Sequence, residues 1–214
     1  MVSINLTREQ EDYIIKIFEL EESFGITRLK ELSKILNFSP GAINDEIKRF
    51  EKMGLVERIP YKGIVLSLTG KEAAKEVTRK HRIAEAFLYY VLNVPWEKCH
   101  LLSSDIEHAI NGQLEKYVLK KLKNLKYCPH GNPFVDDEKI KDVRLSEALT
   151  NVNYKVSRIT YEESDILLKY KTFGILPDEK IKILEKNEKG AVIITHRGKF
   201  ILDKEDLMII RVKE

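Results

Sequence analysis

The spacing of apolar residues predicts three helices and a β-hairpin in the first 70 residues. Thr7 is a plausible N-cap for an amphipathic helix that ends near Ser23–Gly25. A short helix capped by Thr27 follows, and Ser39-Pro40 starts a third, because proline is favourable at the first helical position. The third helix is expected to turn four apolar residues inward: Ile43, Ile47, Phe50 and Met53. The runs LVERIP and IVLSLT flank a YKG turn as two strands. This order is typical of a winged helix-turn-helix.

Helical periodicity continues through the middle of the chain. One helix is predicted from Thr69-Gly70 to about Leu92, and a second from Pro95-Trp96 to about Ile110. Asn111-Gly112 breaks the pattern, and a lysine-rich helix extends from Gln113 to about Lys126. The segment CPHGNPFVDDEK, from Cys128, has no periodicity and is predicted as a loop.

Short alternating runs in residues 151–214 predict a small β-barrel. The expected fold class is therefore α+β, mainly α. We expect a winged helix-turn-helix domain at 1–70 and a helical dimerisation and metal-binding domain at 71–135. A linker at 136–150 then leads to an SH3-like barrel at 151–214.

The amino-acid composition mainly excludes classes of protein. The chain has 214 residues, 43% of them hydrophobic and 33% charged, and its net charge of +3 is too small to indicate nucleic-acid binding by itself. Two cysteines without a C-x-x-C pair fit a reducing cytoplasm. The N-terminus lacks the apolar region of a signal peptide. The chain also lacks a stretch of about 18 uncharged apolar residues, so we expect neither a membrane span nor a membrane partner. Neither a nucleophile elbow nor a P-loop is present, so we do not expect an enzyme.

Three stretches carry residues typical of a metal site. His81 and Glu85 are four residues apart in a predicted helix and share a face. His100, Glu107 and His108 fall at i, i+7 and i+8, and Asp12 lies in the first helix. A single histidine on a helix is more often packed or solvated, so the joint pattern carries the prediction. Nitrogen and carboxylate donors without a thiolate suit Mn(II), Fe(II), Co(II), Ni(II) or Zn(II).

A cationic run between residues 28 and 62 predicts contacts with double-stranded DNA. Small or polar residues at the start of the third helix allow a close approach to base edges: Ser39, Pro40, Gly41, Asn44 and Asp45. Asn44 could pair with adenine, and Asp45 could accept from cytosine. Phosphate contacts are assigned to Lys34, Lys48, Arg58, Tyr61 and Lys62. The alternative is an ordinary solvated helix surface.

The chain resembles the diphtheria toxin repressor family, which includes iron-dependent repressors and manganese transport regulators. The matching motifs are DYIIKIFELEE, KGIVLSLTGKEAAKE, RKHRIAEAFL, CHLLSSDIEHAI and CPHGNPF, in the right order over about residues 7–134. The C-terminal barrel resembles the SH3-like (FeoA-like) domain of the longer members.

The resemblance implies two neighbouring metal positions. One corresponds to His81, Glu85 and His100. The other corresponds to Asp12, Ser104, Glu107 and His108. Iron-type members have Met and Cys where this chain has Asp12 and Ser104, whereas manganese-type members have Asp and Glu. Asp12 is thus manganese-like, and Ser104 matches neither type.

The resemblance also implies further residues near the first position. Arg82 and Asn132 match an anion-binding feature. Ligands that some members supply from the barrel align with Arg158 and Tyr161, close to Glu162 and Glu163, so barrel ligation is not expected here. His130 is expected to be a turn residue. Cys99 and Cys128 are expected to be packing residues.

These observations predict a metal-dependent repressor that senses Fe(II) or Mn(II), with Zn(II), Co(II) or Ni(II) able to substitute. Metal is expected to fix a homodimer in an operator-competent geometry. Candidate dimer contacts are Phe87, Leu88, Val91, Leu92 and Trp96. Two alternatives remain at this point. One is a winged protein with a purely structural metal, indicated by metal-independent DNA binding. The other is a metalloenzyme, which needs an open coordination position and a general base.

Overall fold

The computed structural model describes residues 6–123, 125–135 and 140–214, which form two compact units, Met1–Arg79 and Lys80–Glu214. In the N-terminal unit three helices precede a hairpin: α1 (Arg8–Phe24), α2 (Leu29–Leu36), α3 (Pro40–Lys52), β1 (Val56–Ile59) and β2 (Gly63–Leu66). The strands are antiparallel, with Val56 opposite Leu66 and Ile59 opposite Gly63. The predicted winged helix-turn-helix is therefore confirmed.

The ends of these helices follow from local side-chain chemistry. Thr7 and Gln10 form a reciprocal capping box at α1, and the Ser39 hydroxyl accepts from the Ala42 N–H at α3. The predicted cap at Thr27 is wrong. The Thr27 hydroxyl donates instead to the Ile17 carbonyl at 2.9 Å, which ties α1 to the segment before α2.

A continuous apolar core joins the three helices to the hairpin. Its fully buried side chains include Ile14, Ile17, Leu32, Ile43, Ile47, Phe50 and Ile64. Met53, predicted to face inward, is exposed because it is the C-cap residue, beyond the last turn of α3.

Helix α4 (Leu68–Tyr90) confirms the long helix predicted after the hairpin, but the helix predicted up to Ile110 is broken. The chain forms a 3₁₀ turn at Trp96–Lys98, a short α5 (Cys99–Ser103) and a second 3₁₀ turn at Glu107–Ala109. The Ser103 hydroxyl donates back to the His100 carbonyl at 2.6 Å, and such local bonds compete with helix propagation. Helix α6 (Gly112–Lys121) then follows.

The C-terminal region is an antiparallel sheet in the order β3-β8-β4-β5-β6-β7. Its elements are β3 (Val143–Arg144), β4 (Asn153–Ile159), α7 (Ser164–Phe173), β5 (Lys180–Asn187), β6 (Gly190–Thr195), β7 (Gly198–Asp203), α8 (Lys204–Ile209) and β8 (Ile210–Lys213). The predicted fold class is confirmed. Sequence reasoning missed α7 and α8, and β3 lies inside the predicted linker, whose residues 136–139 are outside the described residues. None of the described helices is long and apolar enough to cross a membrane.

Candidate metal centre and nucleic-acid interface

Helices α4 and α5 bring three of the predicted ligands together. His81 and Glu85 lie one turn apart on α4, His100 lies on α5, and all three are buried. Nδ1 of His100 is 3.0 Å from Nε2 of His81 and 3.0 Å from Oε1 of Glu85. Nε2 of His81 is 3.3 Å from the same carboxylate oxygen. The structure thus juxtaposes the side chains that the family resemblance assigns to one metal position.

Glu107 lies on the other side of His81. A carboxylate oxygen of Glu107 is hydrogen-bonded to Nδ1 of His81, and Nε2 of His108 lies 3.6 Å from the second carboxylate oxygen. The two ring nitrogens of His81 therefore connect two groups of ligand-type side chains.

Ser104 is exposed, whereas Ser103 is buried. The Ser103 Oγ lies 2.9 Å from Nε2 of His81, so Ser103 is the serine that contacts the cluster. Asp12 lies on α1 of the N-terminal unit, where it is partly buried.

Sequence reasoning missed three members of the cluster. Nδ1 of His130 lies 2.7 Å from Oε2 of Glu162, and that same Glu162 oxygen is 3.2 Å from Nδ1 of His100. Cys128 joins them: Glu85, Cys128, His130 and Glu162 each offer one donor atom, and these four atoms lie within 4.8 Å of one another. His130 does lie in a turn, but its side chain is fully buried. Glu162 shows that the C-terminal sheet region does contribute, through the residue next to the aligned Tyr161.

The unsatisfied atoms in this cluster test whether a metal ion fits. Among the described residues, Nδ1 of His130 and Oε2 of Glu162 make no hydrogen bond of normal geometry, although they are only 2.7 Å apart. Oε2 of Glu85 is buried and equally unsatisfied. Such atoms are costly unless something compensates them. Adjacent ligands of an octahedral ion with bonds of about 2.1 Å lie about 3 Å apart, similar to the separations here. The residues fit a divalent cation.

The carboxylates of the cluster counteract the effect of burial on the pKa values of two histidines. Burial alone would lower the pKa of His81, but hydrogen bonds with Glu107 and Glu85 raise it to about 10. Burial would likewise lower the pKa of His130, and the carboxylates of Glu162 and Glu85 raise it well above its usual range. Burial raises the pKa of the Cys128 thiol. At neutral pH the metal-free cluster therefore holds protons on positions that a cation would need.

Hydrogen bonds hold the loop 128–134 against the rest of the cluster. The Ile159 N–H on β4 donates to the His130 carbonyl at 2.9 Å, and the Trp96 indole N–H donates to the Pro129 carbonyl at 2.8 Å. Nε2 of His130 lies 3.0 Å from the Trp96 carbonyl oxygen. When Nε2 carries the proton and donates this bond, Nδ1 is the nitrogen left to face Glu162, as in the outer shells of metal-bound histidines.

The two predicted anion-binding residues have internal partners. A guanidinium N–H of Arg82 donates to the Pro133 carbonyl at 2.8 Å. The Asn132 amide donates to Glu162 at 2.5 Å and to the Ile159 carbonyl at 2.6 Å. In this structure the anion contacted by Asn132 is thus a carboxylate of the protein itself.

The start of α3 presents the predicted DNA-contacting residues to solvent. Ser39, Pro40, Gly41 and Asp45 are exposed, and Asn44 is partly exposed. Asp45 pairs with Lys48 at 3.0 Å, and Arg58 forms two hydrogen bonds of 3.1 Å with Glu51. At the hairpin turn Tyr61 is fully exposed with φ +61°, beside the exposed Lys62, and Lys34 is exposed on α2.

The residues proposed as dimer contacts are mostly engaged within the chain. Leu88 and Trp96 are buried, and Phe87 and Val91 pack against the core that includes Ile83 and Phe134. Leu92 is 55% exposed. Other exposed apolar residues of this region include Leu101, Leu114 and Tyr117.

A winged helix-turn-helix unit, together with a buried cluster of imidazole, carboxylate and thiol groups, defines the class of metal-binding DNA-binding regulators. Family models agree with this description. The DNA-binding domain of iron-dependent repressors matches residues 5–64, and their metal-binding and dimerisation domain matches residues 68–136. The FeoA domain matches residues 143–214.

Several relatives match this chain over most of their length. The iron-dependent repressor IdeR of Mycobacterium leprae is 28% identical over 91% of each chain, and the diphtheria toxin repressor of Corynebacterium diphtheriae is 27% identical over 98% of this chain and 99% of its own. The crystal structure of T. acidophilum IdeR is 28% identical, with a TM-score of 0.90 over 98% of this chain and 99% of that one. A structure of ScaR with bound Zn²⁺ shares the fold, with a TM-score of 0.79 at 23% identity over 98% of this chain and 100% of that one.

The two repressor models together cover more than half of the chain. The chain therefore belongs to the iron-dependent repressor family, and the resemblance to the diphtheria toxin repressor is confirmed. The members of this family are DNA-binding regulators rather than enzymes, as the sequence predicted.

Proposed function

We infer that this chain is a metal-activated transcriptional repressor that senses Fe(II) or Mn(II) in the cytoplasm and controls metal-homeostasis genes. The observation that carries this inference is the convergence of buried donor atoms from Glu85, His130 and Glu162, beside His81 and His100, with Oε2 of Glu85 left without a hydrogen bond. A folded domain tolerates such a cluster when a cation completes it.

The donor set indicates which ions fit. Carboxylate oxygens and imidazole nitrogens suit Mn(II) and Fe(II), and the Cys128 thiol adds a softer donor that also suits Zn(II), Co(II) or Ni(II). A bound cation would neutralise the carboxylates that now hold protons on His81 and His130. The proposed ligands are His81, Glu85, His100, Glu107 and His108, to which we add Cys128, His130 and Glu162.

Asp12 is proposed as the ligand that couples metal to DNA binding. A ligand can shift a conformational equilibrium only if it binds one state better than the other. A carboxylate on α1 supplies that difference if it binds the ion only in the operator-competent state. Metal and operator then strengthen each other's binding reciprocally.

In the proposed complex, two winged units of a homodimer read successive major grooves of a pseudo-palindromic operator. Asn44 and Asp45 face base edges, which requires Asp45 to leave its ion pair with Lys48. Lys34, Lys48, Arg58, Tyr61 and Lys62 contact phosphates.

The test is retention of a duplex from this chain's own promoter or that of a metal-transporter gene. Chelated protein is titrated with Mn(II), and with Fe(II) under anaerobic conditions. Retention that appears only with micromolar concentrations of one ion is the expected result, and it identifies the signal. Equal retention of the duplex in chelator and in metal would contradict the proposed sensor function.

A purely structural metal is the second candidate function. The cluster joins α4, α5, the loop 128–134 and the segment after β4 within one unit, which is where a stabilising ion acts. This function predicts that metal raises the unfolding temperature but leaves operator affinity unchanged.

A further inference from the structure

The C-terminal sheet carries three lysines in direct cross-strand register. Lys155 on β4 lies opposite Lys180 on β5 and opposite Lys213 on β8. Their chain neighbours Tyr154, Val156, Ile181 and Val212 are buried, so the lysines belong to the opposite, outward face, and all three are exposed. We refer to Lys155, Lys180 and Lys213 as the lysine row. Lys182, two residues from Lys180, extends the same face.

Fold stability does not account for this arrangement. Like charges directly opposite each other on neighbouring strands are destabilising. Lysines often protect the edge strands of a sheet from aggregation, and this explanation covers the two ends of the row, because Lys213 lies beyond the residues of β8 that pair with β3 and Lys180 lies before the residues of β5 that pair with β6. It also covers Lys199 on the edge strand β7, but it does not cover Lys155, which pairs with a lysine on each side.

Little negative charge compensates the lysine row. Nζ of Lys213 lies 3.7 Å from Asp178, and both side chains are exposed. Within the described ranges, no carboxylate forms an ion pair with Lys155, Lys180 or Lys182. The next positions along the same face are also cationic, because Arg211 on β8 lies opposite Arg144 and Arg158. Those arginines have carboxylates nearby: Arg158 is 2.8 Å from Asp142, and Arg144 is 4.0 Å from Glu147.

We propose that the lysine row, with Lys182, docks on the phosphate backbone of double-stranded DNA. Three adjacent strands spaced about 4.8 Å apart spread the ammonium groups over about 10 Å, and each flexible lysine can act as a point charge for a phosphate. The proposal rests on the proposed function for its partner, since the winged unit of the same chain brings duplex DNA to high local concentration. Contacts of this kind carry no sequence information and make affinity depend on salt.

The experiment compares the full-length chain with the K155Q/K180Q/K182Q variant in saturating Mn(II). Affinity for a promoter duplex that extends beyond the operator is measured between 50 and 300 mM KCl (about the range in which phosphate contacts dominate). The slope of log affinity against log salt is expected to shrink by about 2–3, since each lost phosphate contact removes about 0.9. The variant's unfolding temperature should be unchanged or higher, because a like-charge repulsion is removed.

The matched control is K116Q/K120Q/K121Q, which removes the same charge from exposed positions of α6. It should keep the wild-type slope. Equal slopes for the two triple variants would overturn the proposal. The proposal would also be overturned if the lysine-row variant bound DNA like the wild type but lost retention on phosphatidylserine vesicles. The partner would then be a membrane surface, which the exposed Ile194 on β6 and Ile201 on β7 could also contact. If metal does not stimulate operator retention in the wild type, the proposed sensor fails, while the slope comparison on DNA still decides this proposal.

Discussion

Glu162 contributes one carboxylate to two imidazoles of the metal cluster, His130 at 2.7 Å and His100 at 3.2 Å. Glu162→Gln keeps the shape of the side chain but removes the negative charge and one donor oxygen. We expect metal affinity to fall at least tenfold, because charged donors dominate the binding of divalent ions. Competition titration with a fluorescent chelator measures this affinity.

Glu163→Gln is the matched control, since it removes the same charge one residue further along the chain, outside the cluster. It should bind metal within about twofold of the wild type, well below the tenfold effects of outer-shell changes. Equal metal affinities for the two variants would show that Glu162 is not a metal ligand and that the other residues of the cluster form the site.

The protons on His81 and His130 link metal binding to pH. Both pKa values are raised in the metal-free chain, that of His81 to about 10, so a cation must displace protons at neutral pH. We expect metal affinity to increase from pH 6 to 8, with net proton release. Calorimetry in buffers of different ionisation enthalpy counts these protons, and a buffer-independent heat would contradict the assignment.

The free energy of unfolding of the metal-free chain should fall as the pH rises, whereas the metal affinity increases. A raised pKa in the folded state means that charged His81 stabilises the fold fully below the unfolded value, near 6.5. That stabilisation is lost as pH rises through about 10. Chemical denaturation in chelator at several pH values should therefore give a falling free energy of unfolding over this interval.

At the scale of elements, the loop 128–134 depends on a close approach to β4. A Cβ atom at Gly131 would lie 2.3 Å from the Ser157 carbonyl oxygen and 2.9 Å from the Arg158 Cα, and φ is +89°. We expect Gly131→Ala to displace the loop and with it His130, lowering both metal affinity and stability. Left-handed backbone costs about 1–2 kcal/mol per residue, and the clash adds about 1–3 kcal/mol.

Gly112→Ala separates these two contributions. Gly112 also has positive φ, +49°, but no atom lies within 4 Å of its added Cβ. Denaturant unfolding should show the smaller loss for this variant, and its metal affinity should be unchanged. Equal losses for the two variants would mean that the contact with β4 is not what positions the loop.

The elements differ in how far the sequence predicts them. Caps, turns and periodicity are local, so the winged unit and α4 could be predicted, with His81 and Glu85 on one face. The helix expected across residues 96–110 is broken after α5, where the Ser103 hydroxyl donates to the His100 carbonyl, a bond that periodicity does not reveal. Cys128, His130 and Glu162 were missed because they meet only when the loop pairs with β4, a contact between segments about 30 residues apart in the chain.

At the scale of the whole molecule, Asp12 tests whether metal controls DNA binding. Asp12→Ala should leave the fold and the cluster of the C-terminal unit intact, because none of that cluster's residues lies on α1. We expect metal-dependent operator retention to be lost, while metal still raises the unfolding temperature. Promoter-fragment retention and thermal unfolding, each with and without Mn(II), measure the two effects.

Glu9→Ala removes a carboxylate from the exposed first turn of the same helix and should retain the metal response. If metal still stimulates operator binding by Asp12→Ala, Asp12 does not couple metal to DNA binding, and the purely structural metal is favoured. Loss of stimulation in both variants would point to damage to α1 rather than to a missing ligand.

Trp96 gives the molecule an intrinsic optical probe. It is the single tryptophan of the chain, its indole donates to the Pro129 carbonyl, and its ring centroid lies 4.9 Å from that of His130. Emission at tryptophan wavelengths therefore originates beside the cluster and nowhere else in the protein. Ion loading can be followed on unlabelled protein in real time, and a paramagnetic ion can be told from Zn(II) by the depth of quenching.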